Sequence, residues 1–109
     1  MTQADGASSP SETEPPSGAP VLTRLIRVPN KRGLHARAAA KFVTLAERFG
    51  ASIEVTRDGQ TVSARSIMGL MMLGAGKGAD IELRAEGWDA REALDALAEL
   101  VESGFNEQD

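Results

Sequence analysis

Cysteine and tyrosine are missing from all 109 residues, and histidine and tryptophan occur once each. Without cysteine there is no disulfide framework and no thiolate metal site, a composition that suits a reducing cytoplasm. A zinc or iron centre needs several His or Cys ligands, which one histidine cannot supply, so no cofactor or metal is expected. No apolar run approaches the roughly 20 residues of a membrane span, and Met1 to Pro20 contains no Lys or Arg and no apolar core of a signal peptide. A cytoplasmic protein that does not insert in membranes is expected. Aromatics are scarce too, with three Phe and one Trp, and the formal charge is −4. Base stacking wants exposed rings and phosphate wants a net cation, so a nucleic-acid module is a weak reading.

What is present suits one small domain, since about 90 foldable residues can enclose one modest core but not two. Met1 to Pro20 is rich in Ser, Pro, Thr and Glu with almost nothing to bury, and is read as a disordered tail. The folded domain is placed at 21–106. Charge is unevenly distributed along it. Val21 to Lys41 holds Arg24, Arg27, Lys31, Arg32, Arg37 and Lys41 and no acid, whereas Ala79 to Asp109 holds ten acids against Arg84 and Arg91. The pattern predicts a basic end and an acidic end, with the basic end able to attract an anion or an acidic partner.

Leu22 to Val28 has the residues of a strand, stopped by Pro29, but its alternation is too untidy to say which face is buried. Ala39, Phe42, Val43, Ala46 and Phe49 fall at helical spacing and predict a helix over Ala36 to Phe49, with Gly50 as its stop. The period then shortens to two. Ile53 and Val55 alternate with polar residues, Asp58-Gly59 is a two-residue hairpin signal, and Val62 and Ala64 continue the return strand. Ser66 opens a short apolar segment, Ile67 to Leu73, closed by the loop GAGKG at Gly74 to Gly78. Ile81, Leu83 and Ala85 alternate in a last strand. Asp89 with Glu92 resembles a capping box before the apolar stripe Ala93, Leu94, Leu97, Leu100 and Val101, and that helix ends near Gly104. The order β-α-β-β-α-β-α predicts an α+β fold with helices on one face of a four-stranded sheet.

GAGKG is not a nucleotide loop: GxxxxGK[ST] needs a longer spacing and a hydroxyl residue after the lysine, where this chain has Gly78. The lone histidine carries more. His35, in NKRGLHARAAAKFV, occupies a helix N-cap position where Ser, Thr, Asp or Asn would serve better. The N–H groups of Ala36, Arg37 and Ala38 are therefore left for an anion, and the helix dipole adds partial positive charge. An imidazole with a free lone pair could attack phosphorus there, and Arg37 could stabilise the charge. Nucleophile, anion hole and cation lie within three residues, without metal ligands or a second base. The set suits a phosphoryl carrier rather than a stand-alone enzyme.

NKRGLHARAAAKFV closely resembles the active-site segment of HPr, the histidine-containing phosphocarrier family of the bacterial phosphotransferase system, in which GLHARP opens the first helix. ARSIMGLMML at Ala64 to Leu73 is similar to that family's regulatory-serine segment. The resemblance implies an open-faced β-sandwich, with His35 accepting a phosphoryl group on Nδ1 from enzyme I and passing it to an enzyme IIA, in sugar transport or in metabolic or nitrogen regulation. It implies that Arg37 stabilises the transferred group and that a serine kinase/phosphorylase modifies Ser66. It also makes Ile67, Met68 and Met71 partner-docking positions on a monomer. The chain departs from the family at Ala38, where proline is common. The competing reading is an interaction module that is never phosphorylated on histidine and binds a regulator through the Ile67 to Met71 surface.

Overall fold

The computed structural model describes residues 21–107, so the tail expected at Met1 to Pro20 lies outside the described residues. Its elements run β1 (Val21–Arg27), α1 (Ala36–Ala46), β2 (Ser52–Arg57), β3 (Gln60–Ser63), α2 (Ile67–Met72), β4 (Asp80–Glu86) and α3 (Ala90–Glu102). The strands form one antiparallel sheet in the order β1-β4-β2-β3. Helices lie on one face, with α3 packed on β1 and β4 and α1 touching both α2 and α3. This is the expected open-faced α+β arrangement.

Alternation sets which face is covered. Ile81, Leu83 and Ala85 of β4 and Ile53 and Val55 of β2 are buried beneath the helices, while the residues between them are exposed or half-buried. In β1 only Ile26 is fully in, because Arg24 occupies an inward position and reaches past the rim to Asp95 of α3 at 2.7 Å. That polar residue on the core side is why the strand's pattern was hard to read. Phe42, Leu70, Leu94, Leu97 and Phe105 fill the space between sheet and helices, each large side chain contributing about 1.5–3 kcal/mol by burial. At the hairpin, Asp58 (φ 50°) and Gly59 (φ 81°) are both left-handed and Arg57 pairs with Gln60, the mirror-image turn that the strand twist favours.

Three expectations need correction. Helix α1 ends at Ala46, not Phe49: the Arg48 and Phe49 N–H groups bond three residues back, to Leu45 and Ala46, which tightens the last turn and swings Phe49 inward. Gly50 is therefore no left-handed stop, and an added Cβ there would meet only the exposed side chain of Trp88, which can move aside. Asp89 stands at the N-cap of α3 but does not cap it. Its two carboxylate oxygens accept from the backbone N–H groups of Gly50 and Ala51, both at 2.8 Å, clasping α3 to the loop between α1 and β2. Lastly, the basic and acidic stretches do not form separate ends. They interleave, as Arg24 meets Asp95 and Arg27 meets Asp80.

Helix α3 ends in a Schellman motif: Gly104 N–H bonds Val101 O, and Phe105 N–H reaches back to Leu100 O. The left-handed backbone continues through Gly104 (φ 70°), Phe105 (φ 60°) and Asn106 (φ 60°). For Phe105 that conformation costs about 1–2 kcal/mol; full burial of its ring offsets the cost. The turn carries the chain back toward the start of α1.

Candidate functional site

The site is built on the turn Asn30 to His35. Asn30 is buried and its Nδ2 donates to Gly33 O at 3.0 Å, closing the turn that Gly33 completes with φ 65°. A side chain at Gly33 would meet Ala75 O at 2.2 Å and Gly76 Cα at 2.7 Å, so only glycine lets this turn lie against the GAGKG loop. Leu34 N–H donates to Ala75 O at 2.9 Å, and Gly78 N–H donates to Val28 O at 2.7 Å. GAGKG thus serves as the bed on which the site rests.

His35 follows in extended conformation (φ −75°, ψ 178°) as the N-cap of α1, and its side chain caps nothing. The first helical bond runs from Ala39 N–H to His35 O at 2.8 Å. Ahead of it, the N–H groups of Ala36, Arg37 and Ala38 have no carbonyl of the helix to bond. Ala38 is fully buried in the first turn of α1. Arg37 is exposed, has no ion pair among the described residues, and borders a groove of about 420 Å³ between α1 and α3 with Lys41, Thr44 and Arg48. The start of α1 therefore presents N–H groups, a positive dipole end and a cation.

A neighbour absent from the sequence argument completes the site. Glu107 Oε2 bonds the Nε2 of His35, and both side chains are only 14% exposed. Glu107 Oε1 accepts from Asn30 Nδ2 at 3.0 Å. Burial pushes the Glu107 carboxyl up, but the hydrogen bonds from His35 and Asn30 and the charges of His35 and Arg32 outweigh it and hold the carboxyl below its usual range. Lys41 Nζ donates to Phe105 O at 2.6 Å and fixes the turn that delivers Glu107. The imidazole's Nδ1 has no hydrogen-bond partner among the described residues.

Ser66, Ile67, Met68 and Met71 lie on or beside α2. Ser66 Oγ accepts from Gly69 N–H at 2.9 Å, an ordinary N-cap. Ile67, Met68, Met71 and Met72 are all exposed, and Leu70 alone of that helix is fully buried. None of these residues joins the hydrogen bonds around His35. The site residues missing from the sequence argument are Glu107, Asn30 and Lys41. Asn30 carried a turn signal, but no local pattern marks Glu107, 72 positions from His35.

Comparison with known proteins gives consistent results. A family model described as "PTS HPr component phosphorylation site" matches residues 22–103. The chain is 46% identical over 87 residues to the phosphocarrier protein HPr of Cupriavidus necator, covering 80% of this chain and 98% of that one. It is 45% identical over 86 residues to the phosphocarrier protein NPr of Shewanella violacea, covering 79% and 94%. Among solved structures, HPr-C-His from Thermoanaerobacter tengcongensis superposes with a TM-score of 0.77 at 47% identity, covering 80% of this chain and 98% of that chain.

Proposed function

Because this chain belongs to the HPr family of phosphotransferase-system phosphocarriers, we propose that His35 accepts a phosphoryl group on Nδ1 from enzyme I and passes it to an enzyme IIA. The observation that carries this reading is the start of α1, where His35, whose Nδ1 has no hydrogen-bond partner among the described residues, immediately precedes N–H groups that no helix carbonyl uses. In the transfer, those N–H groups receive phosphoryl oxygens and Arg37 neutralises charge as it develops. The site holds a phosphoryl group without activating a new one, in keeping with a carrier rather than a stand-alone catalyst.

Partners dock on the exposed apolar face of α2, through Ile67, Met68 and Met71, with Met72 extending it. Flexible methionines suit a surface that meets more than one partner in turn. Ser66 borders that face, and phosphorylation by a serine kinase would place a dianion beside it, weakening contact with an acidic partner.

The test is incubation of the full chain with enzyme I and phosphoenolpyruvate, followed by phosphorus NMR and intact mass. An acid-labile phosphate on Nδ1 of the wild type, absent from His35→Ala, is expected; equal labelling of the variant would end the carrier reading. The cognate kinase with ATP should add an acid-stable phosphate that Ser66→Ala lacks. Label persisting in Ser66→Ala removes that residue from the reading.

A further inference from the structure

The C-terminal turn does more than close the fold, because it delivers a carboxylate to the back of the reacting ring. Glu107 is held from several sides: Asn30 donates to Oε1, Glu107 N–H bonds Gly104 O at 3.1 Å, and Lys41 anchors Phe105 two residues earlier. An ionised carboxylate only accepts hydrogen bonds. The ring nitrogen facing it must therefore carry a hydrogen, and in a neutral imidazole the other nitrogen then carries the lone pair.

We propose that Glu107 is a positioning residue for His35: it fixes the ring proton on Nε2, so that Nδ1 keeps its lone pair at the start of α1. This rests on His35 being the phosphoryl acceptor. In the step itself the Nδ1 lone pair forms the N–P bond, while the donor's bond to phosphorus breaks and its electron pair stays with the donor. The Nε2 proton does not move. The bond that Asn30 donates to Oε1 favours the ionised acceptor as well. The same order of groups, carboxylate to ring to reacting atom, sets the tautomer in the Ser-His-Asp triad and in many metal-bound histidines.

Glu107→Gln is the informative substitution because it preserves size. A carboxylate offers two acceptors, one to Asn30 and one to His35. An amide offers one, and with that oxygen turned to Asn30 its NH2 group faces Nε2 and favours the proton on Nδ1. Nitrogen-15 shifts of the His35 ring should show the neutral wild type with its proton on Nε2 and the variant mainly with its proton on Nδ1. Labelling by enzyme I and phosphoenolpyruvate should lose about tenfold in kcat, as when about one ring in ten is competent, with KM within about twofold. A ring in Glu107→Gln that keeps its proton wholly on Nε2, or a kcat equal to wild type, overturns the proposal. A wild type that takes no label sinks the carrier reading instead, and the tautomer of the variant ring still decides whether Glu107 sets it.

Discussion

Lys41 Nζ donates to the carbonyl oxygen of Phe105 at 2.6 Å, tying the second turn of α1 to the left-handed turn after α3. The bond joins the two ends of the site, since α1 begins at His35 and the turn ends at Glu107. Lys41→Met keeps the apolar stem of the side chain and removes its donor. Loss of about 1 kcal/mol in urea unfolding is expected, and hydrogen exchange at Asn106 and Glu107 should accelerate while β4 amides stay as they are. Unchanged exchange at those two amides would show that the lysine does not hold the turn.

Gly33→Ala should harm stability and phosphoryl transfer together. The left-handed φ of 65° alone costs alanine about 1–2 kcal/mol, and the added Cβ strikes the Ala75 carbonyl, so the turn must move away from its bed. Denaturant midpoints and labelling rates on the same sample would check this. A variant with a lowered midpoint but full labelling rate would mean that the turn does not position His35.

Asp89 distinguishes a cap from a clasp. Loss of an ordinary N-cap costs about 1 kcal/mol. Asp89→Ala instead strips both acceptors from the Gly50 and Ala51 N–H groups, the second of them buried, and should cost about 2–4 kcal/mol. Unfolding followed by the fluorescence of adjacent Trp88 gives the number, and a loss near that of a simple cap would contradict the clasp.

Glu107 predicts a pH dependence of definite sign. Partial burial opposes ionisation, yet the bonds from His35 and Asn30 and the positive charge of His35 and Arg32 prevail, so the folded carboxyl titrates below its ordinary value of 4.5. The carboxylate's contribution to stability is therefore fully present above that unfolded value and is lost as pH falls through the lower folded one. Carbon-13 titration of the side-chain carboxyl should show a midpoint under 4.5. A midpoint at or above that figure would mean that burial wins.

The order of elements was legible because most announce themselves by period or by a turn: two in β2 and β4, 3.6 in α1 and α3, and a glycine turn at Asp58-Gly59. Element ends were less so. Phe49 keeps helical spacing although the chain has already left the helix, because a core-facing aromatic is wanted there whatever backbone carries it. Asp89 read as a cap because spacing along the chain cannot show that Gly50 and Ala51 come within reach. Half of the site was legible for the same reason. His35, Arg37 and the N–H groups of α1 are sequence neighbours, whereas Glu107 arrives only through a left-handed turn that begins beyond the last helical repeat.

That turn also decides where the molecule can be handled. The carboxyl side of α3 is not a loose end: an affinity handle, a dye or a surface linker fixed at Glu107 itself would sit at the back of the His35 ring. Val21 begins β1 about 20 Å along the strand from Arg27, the end that leads into the site. Attachments belong before Val21, where they leave the imidazole's hydrogen bond alone.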